Sequence, residues 1–208
     1  MPRVFAPMII RPPQVKRVTW NPADKGAGCA LSNGNLTATS GGTLGGVRAT
    51  VSRDSGKRYF EFTWDSGIAT SNANTPSMGV ATASLNLGAG GSLIWYGTSL
   101  GGCFFPAYDG SVYTHLYSNS GAPIDLSIGN AVATDVGGVF VDIDAGKVWF
   151  ARNGSVANGG NPAAGTGATL TIDAGLTLFP AFMAALSAVT ARFRGDQWTH
   201  SSMGFLEW

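Results

Sequence analysis

Asp142 and Asp144 stand one residue apart in VDIDAGKVWFARNG, residues 141–154, beside a glycine, Trp149 and an Asn-Gly pair. Two carboxylates so close could bind calcium, share acid–base work, or only turn the chain. A calcium loop of the D-x-[DN]-x-[DN]-G kind needs an oxygen ligand at position 146 and a glutamate at position 153, where this chain has Gly146 and Asn153. Alternation with Val141 and Ile143 puts both aspartates on one face of a strand, and that face is expected to meet solvent. The turn reading uses every residue. Asp144-Ala145-Gly146-Lys147 lets the aspartate bond the turn backbone while glycine supplies a positive φ, and Asn153-Gly154 reverses the next strand in the same manner. Two consecutive hairpins are predicted.

The other reactive side chains are scattered. GTSLG at residues 97–101 fits the G-x-S-x-G pattern of a hydrolase nucleophile elbow, with Ser99 as attacker and His200 following several acids in chain order. An elbow needs a helix after its serine, whereas CFFPAYDG brings Pro106 and no helical period, so a serine hydrolase is the remotest reading. Glycoside hydrolysis needs two positioned carboxylic acids, and the only glutamates are Glu61, inside a strand, and Glu207. His115 and His200 lack companions at metal-binding spacing. Cys29 and Cys103 lie far apart among glycine and apolar neighbours, and with no export signal evident they are expected to be buried free thiols. No catalytic, cofactor or metal-binding residue is assigned.

Strands must position all of this. GKRYFEFTWDSG, residues 56–67, alternates Tyr59, Glu61 and Thr63 with Phe60, Phe62 and Trp64; SMGVATAS, SLIWYG, GSVYTHLYS, GGVFVDID, KVWFARN, ATLTID and VTARFRG repeat the period of two. FMAALSAV at 182–189 is rich in helix formers, yet Pro180 before it and VTARF after it favour strand and loop, with a short helical turn as the alternative. The Gly/Ser/Asn stretches at 65–77 and 153–168 read as surface loops. Trp64, Trp149, Phe150 and Phe193 are assigned to the core. For Trp95 and Tyr96 beside a glycine loop, and for Tyr108, Tyr113 and Tyr117 around a strand, contact with a partner stands beside core packing as a reading.

Taken in order, these segments resemble the SPRY family. GVFVDIDAGKVWFARNG resembles its pattern gDvIGvalDlDagtvtFykNG; SGKRYFEFTW resembles its sGkyYfEvtv strand; SMGVATASLNLG resembles vGvat…lG; and LFPAFMA followed by VTARFRG resembles lyPavs…vtvnFG. The likeness spans roughly residues 18–195. Thr134-Asp135 stands where the family has Gly-Asp, and NGGNPAAGTGATLTID lengthens the loop after Asn153-Gly154. The resemblance implies a bent, concanavalin-like sandwich of two antiparallel sheets that acts as a protein-interaction module without catalysis, through loops at one end or face. The Gly/Ala/Asn-rich insert and lack of an export signal look most similar to SPRY modules of bacteriophage and prophage proteins.

Charge is sparse and uneven. Of 208 residues 12% are charged and 30 are glycine, roughly half and twice average usage. Few charges leave strand edges poorly guarded, which suits a permanent assembly better than a free chain. The net charge of +1 makes no global case for nucleic acid, and no apolar run approaches a membrane span. Residues 1–17 carry Arg3, Arg11, Lys16 and Arg17 with Pro2, Pro7, Pro12 and Pro13, which favour an extended arm. Val4, Phe5, Met8, Ile9 and Ile10 dilute those charges, so Arg3, Arg11 and these five residues are expected to dock by burial on the body or on another subunit.

The expected chain is thus an all-β, SPRY-like sandwich over residues 18–198, with the arm before it. A tail over 199–208 is expected to pack on the body, the closing QWTHSSMGFLEW using Trp198, Phe205 and Trp208. The expected function is non-enzymatic: a structural virion component (tail, fibre, baseplate or capsid-decorating) of a phage or prophage-like particle, made in the host cytoplasm and anchored by the arm to other virion proteins in an oligomeric assembly. A carbohydrate- or host-receptor-binding module is the alternative, with Trp95, Tyr96, Tyr108, Tyr113, Tyr117 and Arg152 as contact residues.

Overall fold

Period-two alternation of aromatic and polar residues becomes strand in two antiparallel sheets. The computed structural model describes residues 17–42, 45–67, 76–88, 128, 131–184 and 186–208, with the strand backbone alone at 102–106, 115–117 and 123–125. Chain order runs β1 (Trp20–Lys25), β2 (Cys29–Ser32), β3 (Thr37–Ser40), β4 (Gly45–Ala49), β5 (Lys57–Ser66), β6 (Ser77–Ala81), β7 (Gly102–Pro106), β8 (His115–Tyr117) and β9 (Pro123–Asp125). It continues through β10 (Val136–Asp142), β11 (Lys147–Arg152), β12 (Ser155–Val156), β13 (Leu170–Thr171), β14 (Phe179–Ala184), β15 (Ser187–Arg192) and β16 (Leu206–Glu207).

One sheet has the order β1-β4-β14-β6-β7; the other runs β12-β11-β10-β5-β15-β3-β2, with β13 beside β11 and β16 beside β5. β8 and β9 pair separately. Proline placement follows from its missing N–H. Pro22 lies in the edge strand β1, where the ladder to β4 is irregular, and Pro180 precedes the β4 ladder, which starts at Ala181. FMAALSAV forms the end of β14 and the start of β15, so strand prevails over the helical alternative.

Alternation along β5 divides two cores. Phe60, Phe62 and Trp64 point between the sheets and join Trp20, Val47, Val139, Phe150, Phe182, Val189 and Phe193 in the main cluster. Tyr59 points the other way, into a second cluster with Phe140, Trp149, Ala151 and Phe205. That outer layer exists because the last residues fold back over the large sheet. Phe205 packs edge-on against Phe140 at 5.4 Å between ring centroids, and Trp198 against Tyr59 at 4.9 Å. β16 runs parallel to β5 at Arg58 and Tyr59, the stretch of β5 beyond the point where β15 ends opposite Glu61. Trp208 then turns inward to meet Phe60 at 5.7 Å and donates from Nε1 to the Val51 carbonyl.

The stretch at 153–168 differs from a free surface loop. It forms β12, a 3-10 turn at Ala157–Gly159 and a bridge between Asn161 and Thr166. Trp149 Nε1 donates to the Thr166 carbonyl and Lys147 Nζ to that of Gly165, so the segment is tied back onto β11. Within the other stretch, residues 68–75 lie outside the described residues, as do 1–16 of the arm.

Candidate functional site

The Asn-Gly turn forms as its residue types require. Arg152 pairs with Ser155, leaving Asn153 and Gly154 as a two-residue connection with φ of 48° and 80°, the positive pair a type I′ hairpin needs. The acids before it behave differently from the expectation. Asp142, not Asp144, holds its own turn: its Oδ1 accepts from the Ala145 N–H at 3.0 Å, while Asp144 accepts from Gly56 in the loop before β5. Asp142 is also buried rather than solvent-facing, with Lys57 Nζ 3.6 Å away. The outer face of β10, which alternation alone would leave to water, is covered at Phe140 by Phe205 of the C-terminal segment.

Glu61 is the most demanding carboxylate in the structure. It is wholly buried, yet Tyr59 Oη–H, the Thr199 N–H and the His200 N–H all donate to it at 2.7–2.9 Å, and Arg192 Nη1 stands 3.6 Å away. A buried carboxylate is tolerable only when paired and hydrogen-bonded in this way. Burial first, and the Glu61 charge and hydrogen bond after it, push the Tyr59 phenol well above its ordinary range. Asp135 is similarly occupied: it accepts from the Val132 N–H and Asn153 Nδ2, and Arg152 Nη1 lies 3.7 Å from it. These carboxylates hold loops together. Among the described residues no three His, Cys, Asp or Glu gather closely enough to hold a metal ion, and no helix is long and apolar enough to cross a membrane.

A groove of about 710 Å³ opens where the body begins and ends, between the loop before β5, the 3-10 turn at Gly195–Gln197 and β16. Four guanidinium groups line it, those of Arg17, Arg53, Arg58 and Arg194, against two carboxylates, Asp196 and Glu207. Both acids are already engaged: Asp196 pairs with Arg194 at 2.7 Å, and Glu207 Oε1 accepts from the Gly195 N–H. Arg53 Nη2 donates to the main-chain oxygen of Trp208, and Arg58 Nη1 and Nε to those of Glu207 and Ser55, while Arg53 Nε is buried without a hydrogen-bond partner. Burial, and then the neighbouring Arg53 charge, lower the Arg58 pKa, with Asp144 opposing. Sequence reading misses this site, because Arg194 joins Arg53 and Arg58 only through folding; the signal present is SRDSGKR at 52–58, with three basic residues.

Of the contact residues proposed from sequence, Arg152 alone has a described side chain, and it serves the Asp135 cluster. Arg3, Val4, Phe5, Met8, Ile9, Ile10, Arg11, Trp95, Tyr96, Ser99, Tyr108 and Tyr113 lie outside the described residues. Tyr117 and His115 are described only as backbone of β8, and Cys103 as backbone of β7. Cys29 is a buried free thiol.

Two antiparallel sheets with this strand order define a SPRY-like sandwich. No protein-family model matches the chain, and no curated protein matches it in sequence. Solved structures do: the SPRY domain of human HERC1 is 18% identical with a TM-score of 0.59, over 83% of this chain and 96% of that one. The TRIM65 PSpry domain is 14% identical at the same TM-score of 0.59, covering 84% and 88%. Stonustoxin is 15% identical with a TM-score of 0.53, matching 84% of this chain but 26% of its own. The likeness shows the fold.

Proposed function

We propose that the chain is a non-enzymatic protein-interaction module, serving as a structural component of a phage or prophage-like particle and anchored there through residues 1–17. The observation that carries this reading is the sandwich itself, which coincides with almost the whole of a solved SPRY domain. The SPRY resemblance implies binding without chemistry. Consistent with it, the buried Glu61 and Asp142 spend their oxygens on main-chain N–H groups and cations of the scaffold. The virion role draws on composition: 12% charged residues suit a surface that is covered in an assembly, and the arm mixes arginine with apolar side chains.

The test is sedimentation. Expressed with a tag in the cell whose genome encodes it, the chain should travel with large particles through a density gradient. A variant lacking residues 2–17 should remain folded and sediment as free protein. A full chain that stays free while particles form refutes the assembly role, and a shortened chain that still enters particles refutes the arm as anchor.

A further inference from the structure

The arginine groove gathers four arginines against two acidic side chains. Its side chains keep positive charge in excess even if a carboxylate at Trp208 is counted with Asp196 and Glu207. Arg53 is held by reciprocal main-chain hydrogen bonds with Leu178, and Arg58 by the ladder of β5, so both guanidinium stems start from fixed backbone. The guanidinium N–H groups not engaged by main-chain oxygens or by Asp196 can donate to a carboxylate. Leu206, 61% exposed, supplies an apolar surface on the same wall.

We propose that this groove docks an acidic peptide segment of a partner protein. The statement rests on the reading of the chain as an interaction module and names the kind of partner. Size argues for a peptide over a lone anion, since about 710 Å³ is the room ordinarily given to a ligand of many atoms. Nucleic acid is the weaker fit: residues 18–208 hold nine Lys and Arg against twelve Asp and Glu, a body that repels a long phosphate chain. A short segment with glutamate or aspartate for the arginines and one apolar side chain for Leu206 satisfies both features.

The test uses the full chain and a fluorescein-labelled peptide of glutamates interrupted by leucine, read by anisotropy. Saturable binding is expected, with none for the peptide carrying lysine in place of glutamate. Arg53→Glu with Arg58→Glu should weaken binding by ~10-fold or more, the effect of removing partners from a desolvated charge pair, in a protein that still melts in one cooperative transition. Should that double variant unfold, Arg17→Glu with Arg194→Glu applies the same test from the other wall. Equal binding by the folded variants overturns the proposal, as does displacement of the peptide by inorganic phosphate alone or binding of the lysine peptide. Particle entry separates the two readings: a chain that joins particles but binds no acidic peptide loses the groove and keeps the module.

Discussion

The main-chain N–H of His200 donates to Glu61 Oε1 across 2.7 Å, tying the C-terminal segment to the middle of the larger sheet. Thr199 binds the other oxygen and Tyr59 shares the first. Glu61→Gln keeps the shape but replaces an acceptor by an amide that donates toward N–H groups, and it removes the carboxylate facing Arg192. Such breaks in buried charge networks cost ~3–5 kcal/mol. Urea unfolding should show that loss, and amide exchange at residues 199 and 200 should accelerate. A variant within ~1 kcal/mol of the parent would mean that the network is not what holds the tail down.

Thr134 sits at a φ of 78° with its N–H bonded to the Trp64 carbonyl, at the position where the SPRY pattern has glycine. A β-branched residue in the left-handed region costs ~1–2 kcal/mol. It is exposed, so its removal leaves no cavity. Glycine would relieve that strain and give back part of the gain as unfolded-state freedom. Thr134→Gly is therefore expected to stabilise by ~0.5–1 kcal/mol, read as a higher denaturation midpoint at unchanged slope. A lower midpoint would show that the threonine side chain contributes more than its backbone costs.

Sequence carries β5 and the hairpin β10–β11–β12 plainly, because Tyr59 to Trp64 alternate without interruption and Asn153-Gly154 permits only one kind of turn. It does not carry the burial of Asp142 or the role of Glu61. Period-two reasoning gives a strand two faces but not what lies over them, and the main-chain donors to Glu61 come from 138 and 139 residues away. The arginine groove is hidden for the same reason: its members are ordinary surface arginines until β16 brings the C-terminal segment beside β5.

Gly137 lies opposite Phe62 in the ladder, and a Cβ there would stand 2.1 Å from the end of that ring. The ring cannot turn freely, since it packs edge-on against Trp64 at 4.7 Å. Gly137→Ala should destabilise by ~1–3 kcal/mol through overpacking. Gly138→Ala, whose Cβ would approach the Tyr59 hydroxyl at 3.0 Å on the opposite face, should cost less. Reversal of that order in parallel melts would place the tight packing on the outer layer instead.

Cys29 gives the fold a pH dependence of known sign. Burial raises its thiol from 9.0 to about 11, with Lys25 opposing. The folded chain therefore keeps a proton that the unfolded chain releases. Its contribution is complete below pH 9, declines as pH rises toward 11, and is spent above that. The full span corresponds to about 2–3 kcal/mol. Cys29→Ala removes this dependence at a small constant packing cost. Stability measured by urea at stepwise pH should show the parent above the variant by the packing difference below pH 9 and falling beneath it as pH rises toward 11. Curves that remain parallel throughout would mean that the thiolate is tolerated in its site. Alkylation supplies an independent reading: since the thiolate is the reacting form, Cys29 should resist iodoacetamide near neutral pH until denaturant exposes it.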